Sequence, residues 1–246
     1  MNLERIVIVL VGTLASGNIG SAARAMRNMG VSQLRLVNPQ CSLDEQAYWM
    51  ATCGAEILKN AQIVSSLREA IADCAYSFGT TARNRRWRRI RKPKDMAKKA
   101  LSLSGENNVA LVFGPEDTGL TNEELELCSE VVTIPTATDG SSLNIAQAVM
   151  ILCYELFTAA EHCSAPTPTA RLAPAAMTEA MYDHMRTTLY EIGFLNRQNP
   201  EYTLGLMRRI LTKAALTIPE ARFIRGIFRQ LAWYVKSRSQ KSDGGF

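Results

Sequence analysis

Three short segments hold most of the residues in this 246-residue chain that could bind or transform a small molecule: TLASGNIGSAAR (13–24), FGPEDTGLTNEEL (113–125) and IPTATDGSSLNIAQ (134–147). In the first, Gly17, Asn18 and Gly20 open a helix whose free N–H groups suit an anion, although a tight turn would need the same glycines. In the second, Gly114 and Gly119 allow backbone turns on either side of Glu116. Thr121 and Glu124 have capping-box spacing there and read as structural. In the third, Gly140, Ser141, Ser142 and Asn144 crowd a helix start, where a serine serves equally well as an ordinary N-cap.

Other chemistries lack their residues. The first segment is not a G-x-G-x-x-G fingerprint, and Asn38-Pro39 stands where a dinucleotide fold places an acidic ribose ligand. That argues against a nucleotide-dependent oxidoreductase. Neither a G-K-[ST] P-loop nor a G-x-S-x-G elbow occurs, and His162 and His184 lie outside the strand-end loops, which argues against a triad or a metal centre. Cys41, Cys53, Cys74, Cys128, Cys153 and Cys163 contain no C-x-x-C pair and sit among apolar neighbours, as expected of reduced thiols in a cytosolic protein.

The net charge of +5 conceals a strong asymmetry. Residues 83–99, RNRRWRRIRKPKDMAKK, carry a local +9, residues 171–246 carry +6, and the remainder carries −10. In the run, Trp87 and Ile90 interrupt the arginines and Pro93 closes it. Arginine forks match phosphates and stack on bases, so nucleic-acid contact is the expectation; a nuclear-localisation signal or an anionic-membrane patch competes with it.

The elements that must hold these segments alternate. Apolar, β-branched strands are expected at 6–12, 34–39, 62–64, 75–81, 108–114 and 131–135, with helices at 19–29, 46–58, 67–73, 96–103, 122–128 and 143–162. Near-continuously apolar strands alternating with helices predict an α/β fold: a mainly parallel sheet covered on both faces. In such a sheet, ligands bind beyond the carboxyl ends of the strands, where all three segments fall. The helix at 143–162 is apolar nearly all round and needs a partner besides the sheet. We expect domains at 1–163 and 177–246, the second small, basic and all-helical, joined by a Pro-rich linker at 164–176. Helices there are expected at 177–195, 204–216 and from Pro219 to about Val235, followed by a frayed tail. No run approaches the roughly 20 apolar residues of a membrane span, and the N-terminus reads as a strand rather than a signal peptide.

In order and spacing, NIGSAAR, LVFGPEDTGL and IPTATDGSSLNIAQA resemble the three signature motifs of the SPOUT-class (TrmH-like) RNA 2′-O-ribose methyltransferases. GTTAR (79–83) and the helical extension are closest to the bacterial TrmJ-like tRNA branch. The resemblance implies a C-terminal trefoil knot, S-adenosylmethionine as cofactor, and a cytoplasmic homodimer joined through helix 143–162. It implies cofactor binding by Thr80, Thr81, Ala82, Gly114, Ile134, Ser141, Ser142, Leu143 and Asn144, with Ile134 and Leu143 around the adenine. It places Arg24, Asn18, Glu116, Ser142 and Asn144 at the reaction centre, with Glu116 orienting Arg24. The RNA would be a tRNA, methylated on a cytidine or uridine of the anticodon loop and gripped by Arg83, Arg85, Arg86, Arg88 and Arg89. Ribosomal RNA as substrate, or a catalytically inactive RNA-binding protein of the same fold, are the alternatives.

Overall fold

The computed structural model describes residues 3–82, 90–137, 142–161, 170–195 and 200–242, with side chains as far as 237. Its chain contacts divide it into two units, Met1–Thr169 and Ala170–Phe246.

The first unit is built on β1 (Ile6–Val11), whose six residues are all buried. Successive side chains of a strand point to opposite faces, so full burial means that both faces of the sheet are covered. On one side of β1 lie β2 (Gln33–Val37) and β3 (Gln62–Val64). On the other lie β6 (Asn108–Phe113), β4 (Cys74–Thr80), β7 (Glu130–Val132) and β5 (Ile90–Arg91). The order is β3-β2-β1-β6-β4-β7-β5 and every pair is parallel.

Six of these strands match the expected runs. The seventh, β5, lies inside the cationic run that was expected to be loop. Two residues carry no periodicity. What makes this a strand is its register on β7, Ile90 opposite Val131 and Arg91 opposite Val132. Arg91 also forms a forked ion pair with Glu130, and Lys99 Nζ lies 3.2 Å from the same carboxylate. Burial alone would raise the Glu130 pKa, but the two cations hold it below the usual carboxylate range.

The helices of this unit are α1 (Ser16–Asn28), α2 (Glu45–Ala51), α3 (Ala55–Lys59), α4 (Leu67–Ala70), α5 (Pro93–Leu103), α6 (Asn122–Leu127) and α7 (Ile145–Glu161). The single helix expected over 46–58 is broken into α2 and α3 by a 3-10 turn, Thr52–Gly54, where Thr52 has φ +46. Pro93 does not merely close the cationic run; it opens α5 at its first turn, where a missing N–H costs nothing. α1 meets α2 at Gly20, where a Cβ would stand 2.1 Å from the Ala47 carbonyl oxygen, so no larger residue could hold that helix contact. α7 packs against both α1 and α5.

The second unit contains α8 (Ala175–Glu191), α9 (Pro200–Ala214) and α10 (Ile218–Ser242). Met181, Tyr182, Met185, Leu189, Leu204 and Ala221 form its core. Ordered packing begins ahead of α8: Leu172 bridges to Thr217, and the Ala173 N–H donates to the Leu216 carbonyl at 2.8 Å. Glu179, almost fully buried, pairs with Arg208, whose guanidinium lies 4.3 Å from the centre of the Tyr182 ring. α10 continues to Ser242, through residues expected to fray, since no Gly or Pro interrupts them before Gly244. No described helix is long and apolar enough to cross a membrane.

Candidate active site

A cavity of about 230 Å³ opens at the carboxyl ends of β4, β6 and β7, with the first turns of α7 as its remaining wall. The end of β4 enters through Thr80, Thr81 and Ala82, held to β7 by the Thr81 N–H donating to the Val132 carbonyl at 3.1 Å. After β6, the chain folds back on itself at Gly114. A Cβ there would stand 2.3 Å from the Leu120 nitrogen, and the Gly119 N–H donates to the Pro115 carbonyl at 2.9 Å. Gly114 is therefore a requirement of this loop, whatever ligand lies beside it. Thr121 and Glu124 close the loop with both bonds of a capping box, at 3.1 and 2.8 Å.

The structure thus gathers Thr80, Thr81, Ala82, Gly114, Ile134, Ser142, Leu143 and Glu116 around one cavity, from segments up to 63 positions apart in sequence. Asn18 and Asn144 join them through hydrogen bonds. Asn144 Nδ2 donates to Asn18 Oδ1 at 2.9 Å, Asn18 Nδ2 donates to Glu116 Oε1 at 2.7 Å, and the Leu14 N–H donates to Glu116 Oε2 at 3.1 Å. One residue from each of the three signature segments stands in this row. Asn144 Oδ1 also accepts the Ala146 N–H at 2.9 Å, so the cap at the start of α7 is this asparagine. Ser142 is exposed, and among the described residues its hydroxyl makes only a long 3.5 Å contact to the Leu143 carbonyl.

Two expectations need correction. The start of α1 is not a vacant anion site: the Glu116 carboxylate sits there, bonded to Leu14 and Asn18, and a negative charge at a helix N-terminus is favourable. Nor does Glu116 orient Arg24. Six residues along a helix are one and two-thirds turns, so Asn18 and Arg24 point from different faces of α1. Arg24 is exposed, and among the described residues it makes no hydrogen bond or ion pair. Ser141 and the arginines 83, 85, 86, 88 and 89 lie outside the described residues.

Sequence reasoning missed Asp117, Thr118, Leu120, Ile145 and Ala148 in the wall. Ala148 had a signal, lying one helical turn beyond Asn144 on α7. Asp117 is a loop residue next to Glu116 and had none beyond adjacency. Among the described residues, no group of His, Cys, Asp and Glu could hold a metal ion. The thiols of Cys74 and Cys153 are pushed up to about 12, both mainly by burial, and so are unsuited to nucleophilic work.

Comparison with known proteins agrees with this geometry. Residues 5–154 match the SpoU rRNA Methylase family and residues 176–243 match the C-terminal domain of tRNA methyltransferase TrmJ. The tRNA (cytidine/uridine-2′-O-)-methyltransferase TrmJ of Klebsiella pneumoniae is 38% identical, over 93% of this chain and 97% of its own length. The Pseudomonas aeruginosa protein, named a tRNA (cytidine/uridine/adenosine-2′-O-)-methyltransferase, is also 38% identical, over 97% of this chain and 98% of its own. The crystal structure of TrmJ from Z. mobilis superposes with a TM-score of 0.81 at 31% identity, covering 92% of this chain and 98% of that one.

Proposed function

The chain belongs to the SpoU methylase family, on its TrmJ-like branch; from that premise we propose that it methylates the ribose 2′-hydroxyl of a cytidine or uridine in the anticodon loop of tRNA, using S-adenosylmethionine. The observation that carries this reading is the row Asn144–Asn18–Glu116, which joins the three signature segments at the edge of one cavity.

The cavity suits the cofactor. Ile134 and Leu143 supply apolar surface for an adenine, while Thr80, Thr81, Ser142 and the loop backbone supply hydrogen-bonding groups. When bound, S-adenosylmethionine supplies an activated methyl group. The chain's own residues must place a ribose hydroxyl in line with it, remove the proton and stabilise the developing alkoxide. Arg24 is the cation for this task. A guanidinium in a protein stays protonated, so Arg24 acts by lowering the hydroxyl pKa or orienting the adjoining phosphate, and the proton leaves to phosphate or water. Glu116 and Asn18 hold the start of α1, and with it the Arg24 helix, against the loop after β6. Ser142 and Asn144 face the reaction centre from the start of α7.

The rest of the reading follows the same resemblance. Arg83, Arg85, Arg86, Arg88 and Arg89 grip the RNA backbone, with the basic helical unit from Ala170 onward adding a second surface. The last loops thread as a trefoil knot, a reading supported by the placing of β7 inside β5 and by the return of α7 to α1 and α5. Two copies pair through α7, whose Tyr154 is 54% exposed and whose Met150, Ile151 and Phe157 are half-buried. The enzyme works in the cytoplasm, where its substrate is.

The test is transfer of a tritiated methyl group from S-adenosylmethionine to total bacterial tRNA, followed by nucleoside analysis. Labelled 2′-O-methylcytidine or 2′-O-methyluridine is the expected product. Label in ribosomal RNA alone would move the substrate to the other RNA class, and label in neither would overturn catalysis.

A further inference from the structure

In its described residues the cavity is electrically one-sided. Among its described lining residues the charged ones are Glu116 and Asp117; the others are apolar residues, glycine, proline, serine and threonine. Glu116 is committed, with one oxygen bonded to Asn18 and the other to the Leu14 N–H at a helix N-terminus that partly offsets its charge. Asp117 differs. It is exposed, and among the described residues its carboxylate accepts only the N–H of its neighbour Thr118, at 2.7 Å on Oδ1.

We propose that Asp117 is the charge-selecting residue of this cavity, favouring the methyl donor over the demethylated product. The inference rests on the cavity being the donor's site. S-adenosylmethionine has a sulfonium, an ammonium and a carboxylate, for one net positive charge. On transfer, the ribose oxygen bonds to the methyl carbon as the bond between that carbon and sulfur breaks, the electron pair of the broken bond stays on sulfur, and the hydroxyl proton goes to solvent. S-adenosylhomocysteine is left as a neutral thioether with no net charge. Adenosine and the amino-acid end are common to both ligands, so their contacts cancel in the ratio of affinities. The one-unit charge difference does not cancel, and a nearby carboxylate acts on it through space without a specific contact. Asp117 thus helps the spent cofactor leave and a fresh one enter.

The experiment is calorimetric titration of three ligands: S-adenosylmethionine, S-adenosylhomocysteine, and sinefungin, in which an amine replaces the sulfonium and keeps the positive charge. Each is titrated into the full chain as wild type, as the isosteric Asp117→Asn and as the cavity-filling Ile134→Trp, with unfolding temperatures measured alongside. Asp117→Asn should weaken S-adenosylmethionine and sinefungin by roughly three- to fivefold, the range of an exposed ion pair, and leave S-adenosylhomocysteine nearly unchanged. In wild type, about 0.5 M salt should narrow the same ratio. An equal effect of Asp117→Asn on all three ligands, or no effect on any, overturns the selecting role. A folded Ile134→Trp protein that still binds the donor normally overturns instead the assignment of the cavity.

Discussion

The two ends of the same parallel sheet treat polar groups differently. At the amino ends, Arg35 of β2 is almost fully buried, donates to the Ala70 carbonyl at 2.5 Å, and forks onto Asp73 just ahead of β4; Asn108, the first residue of β6, donates to the same carboxylate at 3.0 Å. Arg5 Nη1 closes onto the Glu106 carbonyl at 3.0 Å nearby. At the carboxyl ends, beside the bonded row of Asn144, Asn18 and Glu116, the exposed side chains of Asp117 and Ser142 lack a strong side-chain partner among the described residues. Saturated polar groups hold a fold together, and unspent ones can act on something else. In this sheet the unspent groups named here, Asp117 and Ser142, line the cavity at the carboxyl ends.

Substitutions test that contrast. The largest effect is expected on α1, the helix that follows β1. Arg24→Ala should lower methyl transfer by about a thousandfold, on the scale of a lost preorganised charge, while donor affinity and unfolding temperature stay near wild type. Single-turnover kinetics beside calorimetry would check this, and an active variant would remove Arg24 from the chemistry.

At the amino end the signs should reverse. Arg35→Met should cost about 1–2 kcal/mol of stability, because it removes the bonds of a buried guanidinium to the Ala70 carbonyl and to the half-exposed Asp73 carboxylate, with turnover per folded molecule retained. This loss should depend on pH. The hydrogen bond from Arg35, ahead of any other cause, holds the Asp73 carboxyl below the usual range. A carboxyl with a depressed folded pKa contributes stability above its unfolded pKa of about 3.9, and loses it as pH falls through the folded value. Urea titrations should therefore show wild type and Arg35→Met separated at neutral pH and converging below about pH 4. The smallest effect belongs to the support behind the site. Thr121→Ala removes one half of the α6 capping box and should cost about 1 kcal/mol in the same titrations, with donor affinity moving by less than about twofold.

How much of this was readable in sequence depends on the range of the interaction. β1 and β3 lie where their apolar runs put them, and Thr121 with Glu124 forms the box its spacing predicts, because each signal lies within a few residues. The break at Thr52 was not readable: the 46–58 stretch has helical periodicity, and its interruption goes with the packing of the 3-10 turn against α1. β5 was hidden for a related reason, since Glu130, 39 positions away from Arg91, makes that pair of residues a strand edge. At the site, motif spacing singled out Asn18, Glu116 and Asn144 but not how they bond. The bond from Asn144 to Asn18 spans 126 positions, and no local pattern encodes it.

One placement reaches beyond the cavity. With the Glu116 carboxylate at the mouth of α1, a phosphate is repelled from the spot where many open sheets cradle one on backbone N–H groups. On the proposed function, the grip on a nucleic-acid backbone would then come from lysine and arginine side chains, each displacing condensed counterions as it docks. Affinity built that way is ionic-strength currency: each phosphate neutralised on a single strand should steepen the fall of log binding constant against log salt by roughly 0.7, so a modest rise in potassium would release the RNA well before it disturbs the fold.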